Sequence, residues 1–345
     1  MSTPEPIVPR RPITMLQAVG EAMFQAMAAD DTVVVYGEDV VGGAGLGEPY
    51  EGAMGGTFGA TRGLFHEFGP TRVRDTPISE AGIVGIAVGA AAAGIRPVVD
   101  MMWSSFTPLA FDQIHNQAAK MRYMFGGQAN VPLVLRMAIG AGLGAAGQHS
   151  DTLYSVYTHL PGIKVVVPTT PYDAKGLLLE SIADNDPVLF FEHMRLYNTR
   201  QEVPEDPYTV PLGSASVTRA GTDVTIVGIS YMAKLALEVA GALASDGIEA
   251  EVIDPRSLSP LDTETILESV RKTGRLVVVD ESPPRCSIAA DIAALVSEHA
   301  FDSLAAPVRR VTSPHSPVPL SPPLENAYIP DAARIKAAVG KVLSS

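Results

Sequence analysis

Two titratable residues stand at strand-to-helix junctions, where side chains are well placed to move protons. Glu80 lies between a strand running to Pro77 and a Gly/Ala-rich helix that begins near Ala81. Beside so apolar a segment a carboxylate is expected to hold its proton more tightly, which suits proton transfer or a proton shared with a ligand nitrogen. The plainer reading is a first-turn acid favoured by the helix dipole. His149 closes a glycine loop, in Gly147-Gln148-His149-Ser150-Asp151, just ahead of another helix. A neutral imidazole on a loop at the mouth of an α/β sheet is an acid–base candidate, and a solvated or capping histidine is the alternative.

Other motifs carry less. Gly142-Leu143-Gly144-Ala145-Ala146-Gly147 has the G-x-G-x-x-G spacing of a dinucleotide-binding turn. The next strand ends at Val167-Pro168 without an acid for a ribose hydroxyl, so a glycine loop approaching a ligand or a partner backbone fits better. There is no phosphate-loop motif and no G-x-S-x-G nucleophile elbow. The histidines show no zinc-ligand spacing. Cys286, at a helix start, is either a thiol with a lowered pKa or an inert packed one.

The elements that must position these residues alternate regularly. A capping box at Thr14 and Gln17 opens a helix to about Ala29, with Leu16, Val19, Met23 and Met27 on its apolar side. Strands are predicted at Thr32–Tyr36, Arg72–Asp75, Arg96–Met101, Pro132–Met137, Ile163–Val167 and Pro187–Glu192. Helices near Ala81–Gly94, Ala110–Met124, Ser150–His159 and Tyr172–Ala183 interleave with them, and Val41–Thr61 reads as a long glycine-rich surface loop. The alternation predicts a mostly parallel sheet covered on both faces. Residues 196–211, with Pro204, Pro207 and Pro211, read as a linker. Beyond it the pattern restarts, with strands at Asp223–Gly228, Glu249–Asp254, Arg275–Asp280 and Val308–Val311. Helices near Ala233–Ser245, Thr263–Lys272, Ile288–His299 and Ala332–Val342 complete a smaller unit. The fold class is therefore α/β, with two doubly wound domains at residues 13–195 and 212–345. Ser313–Pro323 carries five prolines and should be ordered only by packing against something else.

Composition narrows the classes. A formal net charge of -13 argues against binding nucleic acid or an anionic membrane. The single cysteine excludes an internal disulfide framework and fits a reducing compartment. No apolar segment suits a signal peptide, and Ala81–Ile95, at 15 residues, is too short to span a bilayer. The expectation is a soluble, cytoplasmic protein.

These residues lie inside longer strings. Arg74-Asp75-Thr76-Pro77-Ile78-Ser79-Glu80-Ala81-Gly82-Ile83 resembles the signature of the β subunits of thiamine-diphosphate-dependent 2-oxo acid dehydrogenase components. So do Phe111-Asp112-Gln113-Ile114, Asn116-Gln117-Ala118-Ala119-Lys120, Gln148-His149-Ser150 and Pro171-Tyr172-Asp173-Ala174-Lys175-Gly176. The tail from Asp280-Glu281 through Pro284-Arg285-Cys286-Ser287-Ile288 to Pro314-His315 is most similar to the acetoin dehydrogenase branch, with pyruvate dehydrogenase next. The resemblance spans about residues 13–335 and implies a transketolase-like pyrimidine-binding domain followed by a transketolase C-terminal-like domain. It also implies an α2β2 heterotetramer in which the α subunit holds Mg²⁺ and the diphosphate through a Gly-Asp-Gly…Asn-Asn motif. This chain contains neither a Gly-Asp nor an Asn-Asn dipeptide, so it should supply the aminopyrimidine end. By the match, Glu80 would hydrogen-bond the pyrimidine nitrogen and so activate the cofactor. Phe106, Met102 and Ile78 would form the apolar wall, and His149 would donate a proton on the substrate side. A structural K⁺ site would map to carbonyls of Leu133, Ser181 and Ile182 with Asp184 and Asp186, a simple polar turn being the alternative.

Asp151, where Gln or a similar neutral residue is expected, and Trp103-Ser104-Ser105, in place of an aromatic–acidic stretch, depart from the pattern near the substrate approach. The resemblance implies cleavage of a C–C bond in acetoin or a 2-oxo acid such as pyruvate, with acyl transfer to a lipoyl acyltransferase. A free-standing α/β carboligase making acyloins is the competing enzyme reading, and a non-catalytic binding subunit a third. A neighbouring gene for a lipoyl acyltransferase would favour the first.

Overall fold

The computed structural model of the protein describes residues 9–42 and 55–345; most of the expected Val41–Thr61 loop lies outside them. The capping box forms as the sequence predicts. Gln17 N donates to Thr14 Oγ1 at 3.1 Å and Thr14 N donates to Gln17 Oε1 at 2.9 Å, opening the helix Met15–Ala29.

Seven strands make the larger sheet, in the order Ser257–Ser259, Lys164–Val166, Val188–His193, Val134–Ile139, Arg96–Trp103, Val33–Gly37, Val73–Asp75. All pair in parallel except Ser257–Ser259, which is antiparallel to Lys164–Val166 and arrives from the second domain. Val134–Ile139 and Val188–His193 are buried at every position, as central strands covered on both faces must be. The smaller sheet has five strands, in the order Arg309–Thr312, Leu276–Asp280, Val224–Gly228, Ala250–Asp254, Ser216–Arg219, with only the last antiparallel to its neighbour.

The departures from expectation have local causes. Residues 196–211, expected as a linker, contain the strand Arg200–Pro204, which pairs antiparallel with Arg10–Thr14. The expected helix Ala110–Met124 is helical along its length, but a 3₁₀ segment Ser104–Ala110 containing Pro108 leads into it and a π turn Gln113–Ala118 precedes its last α turn, Ala119–Met124. Of Ser150–His159 only Tyr154–Thr158 is helical. The carbonyls that would start a longer helix are taken by side chains: Ser104 Oγ donates to Asp151 O at 2.6 Å and Ser282 Oγ to Thr152 O at 3.2 Å. The proline-rich stretch packs on the first domain as expected, with Val318 buried and its carbonyl beside Gly147. No helix among the described residues is long and apolar enough to cross a membrane.

Candidate active site

In a parallel sheet, ligands gather outside the carboxyl ends of the strands. The strand order brings five such ends side by side, and each leads into a candidate group. Val33–Gly37 leads to Glu38, and Val73–Asp75 to Ile78 and Glu80. Arg96–Trp103 leads to Phe106, Val134–Ile139 to the glycine loop and His149, and Val188–His193 to Arg195.

Glu80 is the first residue of the helix Glu80–Ala92 and is half-buried. The preceding Ser79 makes no side-chain cap, so the helix start is left to the acid and to whatever lies beyond it. Glu38 faces the same space. Burial, with Asp39 and Glu80 nearby, pushes its carboxyl above the ordinary range. Ile78 is 75% exposed, an apolar side chain two residues before Glu80. The helix Glu80–Ala92 packs against the 3₁₀ segment that carries Phe106.

Met102 sits at a kink. The register between Arg96–Trp103 and Val134–Ile139 shifts between Asp100 and Trp103, and Met102 has φ +57°, which a side-chain-bearing residue adopts at a cost of about 1–2 kcal/mol. Asp100 fixes it, its Oδ1 accepting from Met102 N at 2.9 Å. Asp100 is itself bound by Arg136, whose guanidinium also makes a two-point pair with Glu192 at 2.9 and 2.8 Å. All three charges are buried in adjacent central strands, so breaking any one partner would strand another.

His149 stands in an aromatic cleft. Its ring lies edge-on to Trp103 at 4.5 Å and to Phe106 at 5.5 Å, and Phe58 backs Trp103 at 5.6 Å. Its imidazole makes no hydrogen bond with a described side chain, which leaves both nitrogens for a ligand. The two positions that depart from the family pattern meet here: Ser105 Oγ donates to Asp151 Oδ2 at 3.0 Å. Burial pushes the Asp151 carboxyl up, and the Ser105 bond opposes it.

The glycine motif is a seat for carboxylates of this same chain. Ala141 N donates to Glu281 Oε1 at 2.6 Å, and Gly142 N to Glu325 Oε1 at 2.7 Å. Gly144 N reaches both Glu325 oxygens, at 3.2 and 3.1 Å. A Cβ at Gly140, where φ is +96°, would lie 2.2 Å from the His193 ring, so only glycine fits. These amides hold side chains of the second domain, and the dinucleotide reading falls away.

Around the expected potassium ligands, the chain's own cations meet the oxygens of Ile182, Asp184 and Asp186. Arg96 Nη1 donates to the carbonyls of Ile182, at 3.0 Å, and Asp184, at 2.9 Å. Lys164 pairs with Asp184 at 2.5 Å, Arg122 pairs with Asp186 at 2.5 Å, and Leu133 O accepts from Val188 N at 2.8 Å. Ser181 Oγ is turned back onto Leu177 O at 2.6 Å. No cluster of His, Cys, Asp and Glu suited to a metal ion occurs among the described residues.

Glu38 had a signal in the sequence, since Gly37-Glu38-Asp39 ends a buried strand, but no role follows for it from the sequence alone. Glu281 stood in the Asp280-Glu281 string without a role, and Glu325 had no signal; they lie 140 and 183 positions from the amides they bind.

Comparison with known proteins agrees with this two-domain fold. Residues 11–200 match the transketolase pyrimidine binding domain and residues 213–335 the transketolase C-terminal domain. The chain is 54% identical to the beta subunit of acetoin:2,6-dichlorophenolindophenol oxidoreductase of Bacillus subtilis, over 94% of this chain and 95% of that one. It is 53% identical to the corresponding subunit of Cupriavidus necator, over 96% and 98%. With the pyruvate dehydrogenase E1 component subunit beta of B. subtilis it shares 44%, over 96% and 98%. A solved split-gene transketolase, an inactive beta4 tetramer, shares the fold with a TM-score of 0.76 at 23% identity, over 96% of this chain and 98% of that one. By its two domains and its identity along nearly the whole length, the chain belongs to the transketolase-like family of dehydrogenase beta subunits.

Proposed function

We propose that this chain is the pyrimidine-binding β subunit of a thiamine-diphosphate-dependent enzyme that cleaves acetoin or a 2-oxo acid such as pyruvate. The observation that carries the reading is the carboxylate of Glu80 at a helix start on the ligand edge of the sheet, with exposed Ile78 beside it. These residues fit an aminopyrimidine: one carboxylate for a ring nitrogen, and apolar side chains for the ring faces. When bound, the cofactor supplies the nucleophile and electron sink for C–C cleavage. The chain's own groups do the rest. Glu80 holds a proton at the ring nitrogen, while Ile78, Met102 and Phe106 pack against the ring and keep water from it. His149, whose imidazole makes no hydrogen bond with a side chain among the described residues, donates a proton on the substrate side.

The missing Gly-Asp and Asn-Asn dipeptides support leaving Mg²⁺ and the diphosphate to a partner α subunit; the assembly proposed is an α2β2 heterotetramer, and its proposed location the cytoplasm. The likeness to acetoin oxidoreductase and pyruvate dehydrogenase beta subunits supports a dehydrogenase over a free-standing carboligase; the acyl acceptor proposed is a lipoyl acyltransferase. A potassium ion at Leu133, Ser181, Ile182, Asp184 and Asp186 would compete with Arg96 and Lys164 for the oxygens of Ile182 and Asp184, and exchanging potassium for sodium tests whether activity depends on it. The test is calorimetry with thiamine diphosphate and Mg²⁺, then a substrate panel. Binding should require the α subunit, and micromolar binding by this chain alone would contradict the division of labour.

A further inference from the structure

We propose that Glu325, with Glu281 beside it, is a positioning residue for His149, so that the C-terminal domain sets the acid–base group of the first domain's site. The inference rests on reading His149 as that group. The imidazole is held by ring contacts with Trp103 and Phe106 and by its backbone, where His149 N donates to Ala146 O at 3.3 Å. Its placement therefore depends on the loop before it. That loop has an unusual backbone: Gly140, Gly142 and Gly144 have φ of +96°, +112° and +67°, and Ala146 of +57°. Glycines give a chain the greatest freedom to lose, so a loop of this composition needs an external anchor to hold one shape.

The anchor comes from the other domain. Glu325 lies on the short helix Pro322–Tyr328, 3% exposed, and gathers the amides of Gly142 and Gly144. Glu281 follows the strand Leu276–Asp280, 2% exposed, and takes the amide of Ala141. Its second oxygen meets His193 Nε2 at 2.9 Å; His193 Nδ1 accepts from Arg195 N, so Nε2 carries the hydrogen. Charge-assisted bonds shielded from water are the strong ones, and one carboxylate spanning two amides fixes the loop's curvature as well as its position. Nothing in cofactor binding requires this clasp, since Glu80 and Ile78 belong to a different strand-to-helix connection.

The experiment uses Glu325→Ala and Glu325→Gln in the assembled α/β enzyme and in the full chain alone. Amide hydrogen exchange in the chain alone should rise about tenfold or more across residues 140–149 and stay unchanged in the helix Glu80–Ala92. In the assembled enzyme, turnover should fall about tenfold or more while KM and C2-proton exchange of the cofactor stay within about twofold. Glu325→Gln keeps the volume and one accepting oxygen, and should show both effects more weakly. In a His149→Ala background, Glu325→Ala should cost less than about twofold more, because a group acting through His149 has nothing left to lose. Equal losses in both backgrounds, or unchanged exchange at 140–149, would overturn the proposal. A wild-type assembly without turnover would instead sink the functional reading, and the exchange measurement would still decide the clasp.

Discussion

Asp254→Asn should remove a pH-dependent weakness at the seam between the domains. Asp254 ends a strand of the smaller sheet and is 1% exposed; Arg256 N donates to its Oδ1 at 3.1 Å, while its Oδ2 makes no hydrogen bond of normal length among the described residues. Burial and the neighbouring Asp173 push its pKa from 3.8 to about 7, against the pull of Thr169 and Arg256, the latter itself paired with Asp173 at 3.0 Å. The unfolded chain releases this proton near pH 4 and the folded one near pH 7, so between those values the folded state binds more protons. Stability contributed by the protonated form is therefore lost as pH rises through that window. Three units at about 1.4 kcal/mol each give an upper bound of about 4 kcal/mol by neutral pH. Asparagine keeps the shape and stays neutral, so the variant should lose this slope and be more stable than wild type by a few kcal/mol at pH 8. Urea unfolding of both chains at pH 5, 6, 7 and 8 measures it. Parallel stability curves across that range would refute the reasoning.

His149→Ala should keep near-normal cofactor affinity in the assembled enzyme and lose on the order of a hundredfold in turnover; steady-state rates beside calorimetry check it, and unchanged turnover would return His149 to a packing role. Gly140→Ala drives a Cβ to 2.2 Å from the His193 ring at a positive φ, and should cost about 2–4 kcal/mol in urea unfolding. An unchanged midpoint there would mean that the His193–Glu281 pair is free to shift. Ser105→Ala removes the opposing bond from Asp151 and should raise that carboxyl's pKa further, seen by NMR titration; a downward shift would contradict the assignment.

The two-domain alternation was legible because parallel strands covered on both faces must be continuous apolar runs, as in Val224–Gly228 and Leu276–Asp280. Short edge strands were not. Arg10–Thr14 and Arg200–Pro204 are largely polar, and each becomes a strand only against a partner about 190 residues away in the chain. Ser257–Ser259 is three residues, too few to show a period. The π turn at Gln113–Ala118 is hidden because its apolar spacing resembles that of an α-helix. For the site, Glu80 and His149 announce themselves by type and by their place at strand-to-helix junctions. Trp103 was visible only as an unexpected residue, and its packing on His149 needed the fold. The glycine motif was ambiguous because backbone amides bind a buried glutamate as readily as a phosphate, and which one they hold depends on Glu281 and Glu325 arriving from the second domain.

The central claim is that Glu80 presents a proton to the cofactor's pyrimidine nitrogen. Glu80→Gln keeps the side chain's size and its capacity to donate a hydrogen bond, but it cannot pass a proton. The chain should fold, since a half-buried carboxylate is replaced without opening a cavity, and it should still assemble and bind the cofactor. Hydrogen–deuterium exchange at the thiazolium C2, followed by quenched-flow NMR on the assembled enzyme, should slow by about a thousandfold or more, roughly 4 kcal/mol of barrier. An exchange rate within about tenfold of wild type would contradict the account.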